Sequence, residues 1–138
     1  MDGLELVDAD AEDISVMAEM TQTLIVDEGG VPSLGVERQL TECLNAGFTG
    51  VLFRVAGAIA GYAMYLVTPT SLFLNHFFVA PQHRRNGFGR AAFARLRAQR
   101  FPADLPVVLS VMDSNPGGIA FWQALGFRRT SINMELAP

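Results

Sequence analysis

From Val55 to His83 the chain carries no Asp, Glu, Lys or Arg, and a run of that kind has to be buried. It is long enough to cross a bilayer, yet Gly57, Gly61, the cluster Thr68-Pro69-Thr70-Ser71 and Asn75 interrupt it. Short apolar runs bounded by turn residues read as buried strands. Residues 48–55 and 58–67, rich in Val, Phe, Ile and Tyr and split by Ala56-Gly57, predict an antiparallel hairpin. The stretch Ser71 to Val79, SLFLNHFFV, is apolar at nearly every position, as expected of a central strand covered on both faces, and Pro81 closes it.

The flanks supply helices for those faces. A short first strand around Leu4 and Leu6 ends at Asp8-Ala9-Asp10. Asp10 is a good N-cap, and Ile14, Met17, Ala18, Thr21, Leu24 and Ile25 recur at helical spacing up to Gly29-Gly30. Val36, Leu40, Cys43 and Leu44 mark a shorter second helix ending before Gly47, with Cys43 as a small core residue. Beyond Pro81, a polar glycine-containing stretch leads into a helix whose inner face is Gly89, Ala92, Phe93 and Leu96. Pro106 to Met112 predicts another buried strand. Asn115-Pro116 opens a helix that Gly126 closes, and Arg128 to Leu136 alternates as a final strand should. With 138 residues, half of them hydrophobic, the chain predicts one α+β domain over residues 1–138.

Composition narrows the function. Ten basic and fourteen acidic side chains leave a net charge of −4, which does not favour nucleic acid as a partner. The single cysteine and the absence of a Cys/His set argue against a disulfide scaffold or a metal site, and an acidic N-terminus without a basic, apolar leader points to the cytoplasm. The charge is divided: residues 1–70 hold eleven acids and two bases, residues 71–138 eight bases and three acids. Arg84, Arg85, Arg90, Arg95, Arg97 and Arg100 fall close together, either as the solvated face of a helix or as a phosphate-binding face. An RNA-directed role for that helix would need a local patch in an otherwise acidic molecule.

Arg84-Arg85-Asn86-Gly87-Phe88-Gly89-Arg90 lies between a buried strand and a helix, where free backbone N–H groups meet the positive end of a helix dipole. Phosphate is the natural ligand of such a turn. It is neither a Walker loop nor a Rossmann fingerprint. In this context the sequence resembles the GCN5-related N-acetyltransferase superfamily, whose signature of Gln or Arg, two residues, Gly, one residue, Gly or Ala is met by Arg84, Gly87 and Gly89. The preceding Phe77-Phe78-Val79-Ala80-Pro81 looks like that family's central strand and its exit. Downstream, Asn115, Ala120, Phe121, Leu125, Gly126 and Phe127 resemble its second cofactor motif.

The resemblance implies an acyl-CoA N-acyltransferase fold, a mainly antiparallel sheet of six to seven strands flanked by about four helices. It implies acetyl-CoA as donor, its pyrophosphate on the amides of residues 84–90 (Arg84, Arg85, Asn86, Gly87, Phe88, Gly89, Arg90). The pantetheine arm would lie along Phe78 and Val79, and Asn115, Phe121 and Trp122 would approach from the other side. A main-chain N–H around Val79 would polarise the thioester carbonyl, a donor of a kind typically worth about 3 kcal/mol. The amine attacks directly, without an acyl-enzyme.

Acid and base positions depart from the family pattern. Trp122 stands where many relatives have a tyrosine that protonates the thiolate, Ser110 where a carboxylate is common, and Asn75 at the acceptor-facing place on the central strand. A water chain then carries the amine's proton. His76 has a suitable pKa but alternates to the face opposite Asn75, and Tyr62 and Tyr65 are further possible acids. Asp27 and Glu28, with Glu37 beyond them, border the acceptor groove of the family and suit a small cationic amine as substrate. Two other readings stand beside this one: a degenerate fold that binds acetyl-CoA without turning it over, and a protein acceptor. Homodimers are common in such folds, but no interface is legible.

Overall fold

The computed structural model describes residues 3–27 and 30–138. The elements in chain order are β1 (Leu4–Asp8), α1 (Ile14–Asp27), α2 (Val36–Asn45), β2 (Thr49–Val55), β3 (Ala58–Val67), β4 (Leu72–Val79), α3 (Phe88–Gln99), β5 (Val107–Val108) and α4 (Pro116–Ala124). Short 3-10 turns precede α1 and α3. The strands form one sheet in the order β1-β2-β3-β4-β5, antiparallel except for the parallel β4/β5 pair. The charge-free run is the hairpin arm β3 and the strand β4 that follows it, which is next to the edge of the sheet and not at its centre. Among the described residues no helix is long and apolar enough to cross a membrane.

Each face of the sheet is covered by its own helix pair. On one side Met17 and Ala18 of α1 and Val36 and Leu40 of α2 pack on Leu52, Tyr62, Met64 and Phe78. On the other, Phe88, Ala92, Phe93 and Leu96 of α3 pack on Val51, Phe53, Ala63, Tyr65 and Leu74, with Trp122 of α4 and Leu125 just beyond it against them. Burying one such large apolar side chain is worth about 1.5–3 kcal/mol, and these two layers hold the sheet against its helices. Asp10 caps as the sequence predicts, accepting from the Glu12 N–H at 2.8 Å while its own N–H donates to Asp13 at 2.9 Å. This capping box belongs to the 3-10 turn that leads into α1.

The sheet is shorter than expected on its β5 side. Of the predicted strand 106–112, only Val107 and Val108 pair, with Leu72 and Phe73 of β4. The last predicted strand is absent: residues 128–138 are irregular, with Ile132, Met134 and Leu136 at 80%, 91% and 95% exposure. Alternation suits a strand, but a strand also needs a paired edge, and β5 ends before it can offer one. Among the described residues five strands result instead of six or seven.

The β3/β4 ladder contains one irregularity, at the middle of β4. Met64 faces His76 and Tyr65 faces Leu74, so Asn75 is the extra residue of a β-bulge. Leu74 and Phe77 therefore go to the α3 side, while His76, like Asn75, lies on the α1/α2 side. There Asn75 Nδ2 is 4.0 Å from Cys43 Sγ and the His76 ring bonds to Tyr62. The expectation that His76 and Asn75 point to opposite faces fails because the bulge resets the alternation.

Candidate active site

Because β5 leaves β4 after two residues, β4 from Leu74 onward has one edge without a strand partner. The wedge between them is a cleft of about 250 Å³ with Thr21, Tyr62, Asn75, His76, Phe78, Ser110, Asn115 and Trp122 among its lining residues. At its wide end the backbone of β4 is set by β3. The Ala80 N–H donates to the Ala60 carbonyl at 2.8 Å, and the Phe78 carbonyl points at Gly61. The groups of Val79 between them face the other way: its carbonyl accepts from Arg84 Nε at 2.8 Å, and its N–H faces the open edge.

The loop after β4 turns back through two left-handed residues, Arg85 at φ 66° and Gly87 at φ 81°, the second serving as N-cap of α3. Asn86 Oδ1 accepts from the Phe88 N–H at 3.1 Å and the Gly87 carbonyl from the Ala91 N–H at 3.0 Å. The amides of Arg85, Asn86, Gly87, Gly89 and Arg90 meet no acceptor among the described residues. Nothing lies within 4 Å of where a Gly87 Cβ would be. The loop is thus an open concave surface of N–H groups at the start of a helix, flanked by the exposed Arg85 and Arg90.

The residues expected to hold a cofactor divide into two kinds. Phe88 contributes only backbone, since its side chain is buried in the α3-side core. Gly89 makes room for α4, because a Cβ there would sit 3.2 Å from the Phe121 ring. Phe121 and Trp122 join an aromatic cluster, with ring centroids 6.0 and 5.2 Å from Phe77. Asn115 caps α4 through its Oδ1, 2.9 Å from the Gly118 N–H. Arg84 spans from Val79 to the face of the Phe78 ring, 5.5 Å from its centroid. Arg95 and Arg100 are no part of the cleft: they donate to the carbonyls of Leu4 and Leu6, and Arg100 also pairs with Asp8.

Of the catalytic candidates, Asn75, His76 and Ser110 all line the cleft. Ser110 is exposed, past the end of β5. Tyr65 is a core residue, 4.9 Å from Phe101 between ring centroids. Tyr62 is the site residue that sequence reasoning leaves undecided: it is 1% exposed, and its hydroxyl lies 2.6 Å from both Thr21 Oγ1 and His76 Nδ1. Burial pushes its pKa up to about 12 and pushes that of His76 below the ordinary histidine value, so both are neutral at pH 7. Glu28 falls outside the described residues, and Asp27 is the last residue of α1, one turn past the cleft-lining Leu24.

The sequence pattern of the Acetyltransferase (GNAT) family matches residues 18–127. The chain belongs to the GNAT acetyltransferase family. The match runs from α1 through both predicted motifs. No curated protein matches the sequence. Among solved structures, the GNAT fold recurs in a possible acetyltransferase from Clostridium difficile 630, with TM-score 0.79, 16% identity, and 99% and 98% of the two chains covered. It recurs in a predicted acetyltransferase from Clostridium acetobutylicum solved with acetyl-CoA, with TM-score 0.74, 19% identity, and 97% and 96% covered. The aminoglycoside N-acetyltransferase AAC(6')-Iy in complex with CoA superimposes with TM-score 0.75 at 16% identity, covering 98% and 94%.

Proposed function

We propose that this GNAT protein transfers the acetyl group of acetyl-CoA to the primary amine of a small cationic molecule by direct attack. The observation that carries the reading is the junction of two backbone surfaces: the outward N–H of Val79 on the open edge of β4, and the amides of Arg85, Asn86, Gly87, Gly89 and Arg90 a few residues later, which meet no acceptor among the described residues. The first would stabilise charge on a thioester oxygen, and the second would hold a diphosphate. Arg85 and Arg90 add charge beside the loop, and the wedge between them admits an extended arm. The acetyl-CoA and CoA held by the relatives with this fold support the donor, and the aminoglycoside relative supports a small amine as acceptor. The consecutive acids Asp27 and Glu28 in the sequence would suit a cationic acceptor.

Trp122, Ser110 and Asn75 stand where an acid and a base are usual, which favours a second reading, an acetyl-CoA-binding protein that does not turn the cofactor over. Calorimetric titration with acetyl-CoA, followed by thiol release with a panel of cationic and neutral amines, separates the two. Binding at about micromolar strength, near −8 kcal/mol, with amine-dependent thiol release is the expected result. Binding without release for any amine favours the second reading, and no binding at all rejects both.

A further inference from the structure

The hydrogen bonds behind His76 count out to one arrangement of protons. Thr21 Oγ1 is 2.9 Å from the Met17 carbonyl, which only accepts. It is 2.6 Å from the Tyr62 hydroxyl, and that hydroxyl is 2.6 Å from His76 Nδ1. Thr21 and Tyr62 bring one hydrogen each to three contacts. If Thr21 donates to Met17, Tyr62 must donate to Thr21, and the third hydrogen has to come from Nδ1 of the histidine. The opposite chain, with Tyr62 donating to His76, fills the two short contacts and leaves the Thr21–Met17 contact without a hydrogen.

We propose that Thr21 and Tyr62 are positioning residues that hold neutral His76 as the Nδ1–H tautomer, so that Nε2 presents its lone pair to the cleft and accepts the proton of the attacking amine. The inference deepens the acetyltransferase reading and rests on it for the last step. In that step the amine nitrogen's lone pair forms the bond to the thioester carbon while Nε2 takes one of its protons. The C–S bond then breaks with its electron pair on sulfur, and the imidazolium returns the proton to the thiolate, giving amide and thiol. An amine that arrives protonated first gives its extra proton to solvent.

The surroundings make His76 the group that titrates. Tyr62 of β3 bonds to it, and the cleft that it lines is shared by Thr21 and Leu24 of α1, Ser110 and Met112 of the segment after β5, Asn115 before α4 and Trp122 of α4. Cys43 of α2 lies on the same side, and burial raises its thiol pKa. Among the described lining residues there is no carboxylate. The burial that lowers the pKa of His76 keeps Nε2 unprotonated at neutral pH.

The test begins with the free protein. Long-range 1H–15N NMR of the imidazoles, assigned with His76→Gln, is expected to give the Nδ1–H pattern for His76. Tyr62→Phe is expected to return it toward Nε2–H. An Nε2–H form in the unaltered protein overturns the proposal without any need for a variant to fold. In turnover, His76→Gln should lower kcat about 100-fold with acetyl-CoA affinity unchanged and remove the acid limb of the pH profile. Tyr62→Phe should lower it about 10-fold. Full activity in His76→Gln overturns the base role while the acetyltransferase reading stands. An Nδ1–H tautomer in a protein that acetylates no amine confirms the proton arrangement and sinks the acetyltransferase reading.

Discussion

Gly61 of β3 approaches Phe78 of β4 so closely that a Cβ on Gly61 would fall inside contact distance of the Phe78 carbonyl oxygen and 3.0 Å from Phe53 Cδ2. The neighbouring backbone of Val79 takes its direction from this contact. Gly61→Ala should therefore cost about 2–3 kcal/mol, the range for overpacking against backbone that cannot move aside. Urea unfolding should show a lower midpoint at an unchanged slope. Acetyl-CoA should also bind the folded variant more weakly, because relief of the clash displaces the Val79 N–H.

Gly87 and Gly89 should respond differently to substitution. Gly87 has open space around it and a left-handed backbone, so Gly87→Asn, which tolerates that conformation, should keep stability within about 1 kcal/mol. Gly87→Asp, with similar shape and a negative charge, should weaken acetyl-CoA binding by more than about 10-fold at low salt in calorimetry, or about 1.4 kcal/mol. Gly89→Ala should instead lower stability by about 1–2 kcal/mol through the Phe121 ring.

Stability should rise with pH across the ordinary histidine range. The folded-state pKa of His76 is lowered by burial, so between that value and about 6.5 the unfolded chain holds a proton that the native one does not. Unfolding then takes up a proton, and the native state gains stability as pH rises, with the contribution fully present above about 6.5 and lost as pH falls through the folded value. Tyr62, whose pKa is pushed up to about 12, has the opposite effect: stability falls as pH climbs above about 10. Urea midpoints at pH 5, 6, 7 and 8 for the unaltered protein and His76→Gln check the first effect, which the variant should reduce.

Replacing Arg95 with Met keeps its apolar stem and removes its hydrogen bond to the Leu4 carbonyl at 2.7 Å. The expected loss is about 1–2 kcal/mol, that of a charge-assisted bond to a backbone oxygen, read from thermal or urea unfolding. Acetyl-CoA affinity should stay the same, since this side chain faces β1 and not the loop.

The hairpin, the strand that follows it and the helix beyond the arginine-glycine loop are legible in the sequence because a charge-free run leaves no alternative to burial and glycines at fixed spacing leave few turns. The bulge at Asn75 is not. Its one trace is the polar pair Asn75-His76 inside SLFLNHFFV, which periodicity alone assigns to two opposite faces. Tyr62 and His76 meet as diagonal neighbours across β3 and β4, with Tyr62 opposite Phe78. No local pattern encodes that register. The last strand misleads for a related reason: residues 128–136 alternate correctly, but their fate depends on how far β5 stays paired. For the arginines, spacing places Arg95 and Arg100 in the same class as Arg85 and Arg90, and only the packing of α3 against β1 separates them.

The two arginines finish one margin of the sheet. Leu4 and Leu6 lie two residues apart on the outermost strand, and their oxygens accept from guanidinium groups that come from more than ninety residues downstream. A bare margin of this kind is where a second chain adds itself and aggregation begins. Here it is stoppered with positive charge, while the margin of β4 beyond Phe73 is left bare. Among the described strands the bare stretch of β4 therefore lies beside the wedge, and removal of both guanidinium groups would open the β1 margin to other copies of the chain.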